Sequence, residues 1–591
     1  MSATVLMRLR AAMLLIGGVW LAVFAAQAPA QKIPAVAPAP VGAAAQLGAA
    51  IMDGDLIRVG ISDDAMRDYE YPQARLGATG PCVIWDVASR RVLATMPAGA
   101  TALATVTKRG FLIRRSGLAA PLGPIAGPVL FRPVNAQSLM LLPSSTRRGQ
   151  TPRYRGSLEL VRGFSAPNKL TVVNILPIQD YLKAVVPNEL PPRFGLEAIR
   201  AQAVAARNYA IRPREKPWPQ FDICDSQYCQ VYFGAQTEHP ATTKALEETR
   251  GLMALYDGEP ILALYSSSHG GVSENYENAF SEPRTERFPA TPLPYLVSVS
   301  DSATMTERFG DLRLEANARA FWSARGLPSH DSGSSYNRWQ REWTALTLLQ
   351  TLRKTLPELA QDKLTRAFVQ PPPSRAVGAL QEMRVTQRGA SGKAMTLEIF
   401  TDQGVWTVRK EFVIRKALAV GGRMLPSANI VFTLRRDADG RLAALTVHGG
   451  GFGHGVGMSQ YGAGALSAKG CTFVDILQHY YRGAAIGAIP LRVGSGASLI
   501  PARVTFYAKK RAGVLYYVAE EADGDAAPRV SLNGKVISLA GVASGPHSGK
   551  RLAPEDLRAP GVNELTLWPD VKRPERRIRA WIELYPARGE T

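Results

Sequence analysis

A chain of 591 residues is too long for one compact core, so several folding units are expected. A hydrophobic share of 46% excludes global disorder, and four cysteines are too few for a disulfide scaffold. The formal charge of +21 favours polyanionic partners, and nucleic acid would come first among them for a cytosolic chain.

The N-terminus turns that reading toward export. Met1–Arg10 carries Arg8 and Arg10, Ala11–Ala26 is apolar, and Ala28-Pro29-Ala30 offers small residues around a cleavage point. Together they read as a secretory signal peptide over residues 1–30. An uncleaved anchor is the alternative, but the apolar run is short for a span of about 20 residues. No cysteine lies at the cleavage region, so no lipoprotein anchor is expected. The mature protein is expected in the periplasm, outside the cell or at the wall. The polyanions there are wall polymers, stem-peptide carboxylates and lipid headgroups. The basic residues are dispersed, which also fits a generally basic surface.

Residues 31–50 are rich in Ala and Pro and read as a linker. From Leu56 the chain turns to short strands, and a mainly β region is expected over 51–150. A strand is predicted over Lys169–Leu176, ended by Pro177, and a helix over Ile178–Val186. Leu196–Ile211, Ala-rich and free of internal Gly and Pro, is the clearest helix, with Glu197, Arg200 and Arg207 able to face out. Glu189 then falls in a tight connection between two helices. Ile261–Ser268 reads as a strand entering a polar turn. Residues 302–325 and 343–370 read as helical, with Pro357 interrupting the second. Strands are predicted over Met395–Phe400, Val405–Arg409 and Ile430–Leu434. Phe473–Tyr481 reads as a helix, and residues 500–591 as an appended β-sandwich. The fold class is α+β.

Three segments carry chemistry. In Tyr181–Pro191, Glu189 sits among Pro187, Leu190 and Pro191, a rigid and apolar setting. Desolvation there raises a carboxyl pKa and keeps the group protonated, as cleavage of a glycosidic bond requires of its acid. A helix cap or solvated turn is the plain alternative. Leu264–Gly271 is dense in Ser and Gly but lacks a Gly-x-Ser-x-Gly elbow, which argues against a serine hydrolase. Gly449–Ala463 is too Gly-dense for a helix or a strand interior, and no Gly-Lys-Ser/Thr follows that would make it a phosphate loop. It brings His454, Ser459, Gln460 and Tyr461 around a close backbone approach.

In this order the segments "YLKAVVPNELP…LEAIRAQAVAARNYAI", "DICDSQYCQVYFG", "LYSSSHGGVSENYENAF" and "GFGHGVGMSQYGAGALSAKG…DILQHYYRGA" resemble the stage II sporulation protein D family, the SpoIID/LytB domain. The likeness runs from about residue 155 to 487. A SpoIID/LytB-like catalytic domain is therefore expected over 151–490. The resemblance implies a lytic transglycosylase that cuts the β-1,4 bond between N-acetylmuramic acid and N-acetylglucosamine and leaves a 1,6-anhydro end. One carboxyl suffices for that reaction, unlike the two of ordinary glycosidases. The family's catalytic Glu maps onto Glu189, followed here by Leu190 where relatives usually carry Met. Ser267, Ser268, His454, Ser459, Gln460 and Tyr461 are expected along the groove, with Gln202 and Arg207 orienting the loop or touching sugar.

Some members of that family bind zinc through two cysteines and two histidines. Here Tyr228 stands before Cys229 where such a relative has His, so a Cys224–Cys229 disulfide is expected over zinc, and no cofactor is required. His269 and His454 are read as ligand contacts or core hydrogen bonds rather than a metal pair. The implied partners are peptidoglycan glycan strands, stripped of peptides in some relatives, and a cell-wall amidase; nucleic acid is not among them. Two other readings stand beside the enzyme. One is a glycan-binding modifier that enhances an amidase without cutting. The other is a metal-dependent wall hydrolase using His269, His454 or the cysteines, although the His spacing matches no metalloprotease signature.

Overall fold

The computed structural model describes residues 56–66, 68–116, 120–211, 218–283, 285–493, 502–519, 527–570 and 576–585. The expected signal peptide and linker lie outside the described residues. Among the described residues no helix is long and apolar enough to cross a membrane. The fold is α+β, as expected.

The alternating run Leu56–Ile61 is indeed a strand, with Val59 and Ile61 buried. It pairs antiparallel with Leu170–Pro177, which pairs in turn with Ser157–Arg162. These strands belong to one seven-stranded sheet that also takes in Cys82–Asp86, Arg91–Met96, Val129–Pro133 and Ile223–Cys224. The boundary expected at 150/151 therefore cuts through one structural unit. Strands on both sides of it share a ladder because their apolar faces complete one core. A six-stranded sheet, built on Gln73–Ala78 and Thr101–Thr107, also crosses that boundary, since it takes in Arg153–Tyr154.

Ile178–Glu189 and Leu196–Ile211 are helices. The second packs against the first and against the helices Pro240–Glu248, Gln460–Ala468 and Phe473–Tyr480. Neighbours on so many sides explain its composition. Ala198, Ala201, Ala203, Ala205 and Ala206 are buried around the axis, and small side chains let the surrounding helices approach. The outward-facing role expected for Arg207 fails for the same reason, since this helix has little free face.

The C-terminal region is not a separate sandwich. Ile578–Tyr585 joins a sheet with Leu252–Tyr256 and Ala485–Ala488, while Ala502–Ala508 and Gly561–Leu567 form part of a second, four-stranded sheet. Its core residues, among them Trp581 and Leu565, are continuous with Tyr181 and Val204 of the central helices. A second core, containing Leu352, Trp406 and Val447, fills the region between Trp339 and Gly449. There the helix Ala345–Gln361 runs on through Pro357 instead of stopping. Burial of Leu348, Leu352, Leu356 and Leu359 along one face offsets the missing hydrogen bond.

Candidate functional site

Glu189 is the last residue of its helix, two positions beyond Pro187. The chain leaves at Leu190 in an extended conformation, its N–H donating to Val186 O at 2.9 Å. The carboxyl thus projects from a helix end that Pro191 cannot continue. It meets the segment following Cys229: the Val231 N–H donates to Glu189 Oε1 at 2.7 Å. A second hydrogen bond comes from the Gln460 side chain. The residue keeps a partly exposed surface while its carboxyl is packed among protein atoms. Desolvation pushes its pKa up to about 7, against the smaller opposing pull of those two hydrogen bonds. The group can therefore exist in either protonation state at neutral pH, which is what a proton donor and acceptor needs.

The Ser-rich and Gly-rich segments converge beside it. Tyr265–Ser266 pairs in parallel with Met458–Ser459, and Tyr461 N–H donates to Ser267 O at 3.0 Å. Ser268 and Phe452 exchange backbone hydrogen bonds at 2.8 and 3.3 Å. Glycine is required by this approach at two positions. Gly451 has φ +82°, and a Cβ there would sit 2.8 Å from Ser268 O. Gly457, at φ +73°, faces Leu264 O at a distance no side chain tolerates.

The expected wall residues divide into two groups. Ser267, His454 and Tyr461 remain partly exposed. His454 accepts from Val456 N–H through Nδ1 at 3.1 Å, and burial drives its pKa down to about 3, so the ring is neutral. Tyr461 packs edge-on against Phe194 with ring centres 4.9 Å apart. The others serve structure. Ser268 is buried and donates to Asp331 Oδ2 at 2.7 Å. Ser459 caps the helix Gln460–Ala468 by accepting from Gly462 N–H. Gln202 is fully buried, and its Oε1 faces Gln460 Nε2 at 3.5 Å, so it stands behind Gln460 and does not touch sugar. Arg207 is also buried; it donates to Leu252 O at 2.9 Å, and desolvation lowers its pKa to about 9. Arg207 therefore holds strand and helix together and has no route to a ligand.

The expected Cys224–Cys229 disulfide and several residues that carried no local signal position Glu189. Cys224 and Cys229 are disulfide-bonded with Cα atoms 5.6 Å apart, which fixes the loop that delivers Val231. Asp225 within it is fully buried and accepts from Arg147 Nη2 at 2.7 Å and from Ser62 Oγ at 2.7 Å. Gln230 accepts from Tyr181 Oη at 3.2 Å and donates to Tyr265 Oη at 2.9 Å, linking the Glu189 helix to the Ser-rich strand. A cavity of about 1190 Å³ opens against Phe194 and Tyr461, lined also by Arg193, Glu197, Ser467 and Lys469. Glu189 does not line it. Among the described residues, the His and carboxylate side chains close enough to share a metal ion are Asp301, His330 and His479, and neither His269 nor His454 is among them.

Residues 166–256, which contain Glu189 and the disulfide loop, match the stage II sporulation protein family SpoIID. Residues 282–457 match a domain of unknown function, DUF8618. An amidase enhancer of Bacillus subtilis (strain 168) is 28% identical over 312 residues, covering 51% of this chain but only 39% of that protein. The stage II sporulation protein D of the same strain is 28% identical over 332 residues, covering 53% of this chain and 75% of that protein. An uncharacterized protein of Brachyspira hyodysenteriae is 29% identical over 333 residues, covering 56% and 71%. The helix bearing Glu189, the disulfide loop against it and these relatives lead to one conclusion: residues 166–256 form a SpoIID-family domain, in a chain similar to stage II sporulation protein D and to an amidase enhancer.

Proposed function

We propose that the chain acts on peptidoglycan glycan strands outside the cytoplasm, as a lytic transglycosylase with Glu189 as its proton donor and acceptor. The observation that carries this reading is the Glu189 carboxyl, packed among protein atoms on a partly exposed residue, hydrogen-bonded by Val231 and Gln460, and held near pKa 7 with no cation among the groups that shift it. In the first half of the reaction the glycosidic C1–O4 bond breaks and Glu189 gives its proton to O4. In the second half the sugar's own C6 hydroxyl forms the C1–O6 bond and returns its proton to Glu189. One carboxyl thus completes the cycle, and no water is consumed. Gln460 and the Val231 N–H stabilise the ionised form between the two steps. Ser267, Tyr461 and neutral His454 are the partly exposed groups beside it that offer contacts to the sugar.

The amidase enhancer among the relatives favours a second reading, and it bears on that reading more directly than on cleavage. In it the chain holds glycan strands and assists a cell-wall amidase without cutting them. Incubating the pure protein with intact and with peptide-stripped peptidoglycan separates the two. Cleavage gives new 1,6-anhydro ends by mass spectrometry; the modifier gives glycan pull-down, no new ends, and faster release of stem peptides when an amidase is added.

A further inference from the structure

Behind the cavity beside Tyr461, three side chains from separate parts of the chain turn toward one point. Asp301 lies against the Gly271 turn, to whose carbonyl its N–H donates at 2.9 Å. His330 stands on a loop pinned by the neighbouring Asp331, whose Oδ2 accepts from Ser268 Oγ and from the His269 and Gly270 N–H groups at 2.6–2.8 Å. His479 projects from the helix Phe473–Tyr480, which a reciprocal Thr472–Asp475 cap fixes at its start. The donor atoms of the three lie within 4.8 Å of one another.

The contacts among them are incomplete in a way that protein groups alone do not explain. His479 Nε2 lies 3.9 Å from Asp301 Oδ1, too far for a hydrogen bond. That nitrogen is buried and has no hydrogen-bond partner within normal distance among the described residues. Asp301 uses its other oxygen to accept from His330 N–H at 2.7 Å, which ties the carboxylate to the histidine loop and leaves Oδ1 facing His479. The His330 and His479 rings meet edge-on with centres 5.6 Å apart. Asp301 and His330 also line the cavity of about 1190 Å³, so the cluster is open on that side.

We propose that Asp301, His330 and His479 form a binding site for a divalent transition-metal ion of the zinc class, with a coordination position open to the cavity. Two imidazoles and one carboxylate are a donor set suited to zinc and its neighbours; magnesium and calcium prefer oxygen throughout. Metal–ligand bonds of about 2.1 Å bring tetrahedral donors to roughly 3.4 Å from one another, so the 3.9 Å gap closes with a small side-chain shift. Lys469 Nζ is 3.2 Å from His330 Nδ1 and competes for that nitrogen. Its side chain is exposed and free to swing away. Asp301 and His330 lie within the residues matching DUF8618, whereas His479 lies outside them, so the ion cross-links that region to the helix beside the Glu189 core.

The test is zinc binding by the untagged full chain after chelation and dialysis, followed by metal analysis, titration and thermal melts with and without zinc. We expect one zinc per chain and a rise in melting temperature on adding it. His479→Ala and His330→Ala each weaken binding by more than about tenfold and lose the thermal shift. Lys469→Gln, which removes the competing ammonium and no ligand, tightens binding. Absence of zinc binding at micromolar metal by the wild-type chain overturns the proposal. So does wild-type stoichiometry and affinity in both histidine variants, which would put the ion elsewhere. If the histidine variants fail to fold without metal, Lys469→Gln decides: tighter binding supports the site, and unchanged or weaker binding overturns it.

Discussion

Two buried carboxyl groups meet the same disulfide loop, and the protein surrounds them in opposite ways. Asp225, inside the loop, is matched by the Arg147 guanidinium and by Ser62, and is sealed from solvent. Glu189, at the loop's far end, receives one backbone N–H and one amide, keeps a partly exposed surface and is pushed up to about pKa 7 by desolvation. A compensated carboxylate is an anchor, because ionisation satisfies all its partners. An uncompensated one is a reagent, because neither protonation state is strongly preferred. The first holds in place the backbone donor that the second uses, since Tyr232 N–H donates to Asp225 O one residue beyond Val231.

That contrast can be broken at the anchor first. Arg147→Met leaves Asp225 buried without its cation and should cost about 3–5 kcal/mol, read in urea unfolding. A neutral result would mean that Asp225 is not held by the pair.

The next effect belongs to Glu189 and depends on pH. Its folded pKa is raised from 4.5 to about 7, so the folded state keeps a proton that the unfolded state has lost. Stability therefore falls as pH rises through that window and levels off above it, by about 3 kcal/mol at most. Glu189→Gln should be more stable than the wild type at pH 8 and equal to it near pH 4. Guanidine melts at the two pH values check this, and a constant difference between them would remove the desolvation argument.

Opening the loop comes third. Replacing Cys224 and Cys229 together by Ala should cost about 2 kcal/mol, the loop-closure value for so short a span. Activity should fall as well, because the Val231 donor loosens. Ser459→Ala is the smallest change, about 1 kcal/mol from loss of a helix cap. It should leave KM for glycan unaltered, whereas a rise in KM would return Ser459 to the groove wall.

How far the sequence reveals this site depends on the distance over which each part acts. Glu189 among Pro187, Leu190 and Pro191 declares a rigid, apolar setting locally, and the raised pKa follows from it. The strands and helices with clean periodicity, such as Leu56–Ile61 and Phe473–Tyr480, are legible for the same reason. The Val231 N–H is not, because a backbone donor has no residue type to mark it. Arg147 and Gln202 are not, because burial is set by neighbours far along the chain. Arg207 misleads because a basic residue on an Ala-rich helix suggests an outer face, while Ala on every side is the signature of a helix packed all round. The C-terminal strands are visible by alternation, but nothing in alternation says that Ile578–Tyr585 pairs with Ala485–Ala488. The Asp301, His330 and His479 cluster is silent in sequence, since its members have no ligand spacing.

The central claim is that one carboxyl gives and then takes a proton. Release of 1,6-anhydro ends from peptide-stripped peptidoglycan, measured across pH for the wild type and Glu189→Gln, tests it most directly. The account predicts release whose kcat/KM declines above about pH 7, as the acid loses its proton, and no release from the variant at any pH. Full release from Glu189→Gln, or no anhydro ends from the wild type at any pH, would contradict it.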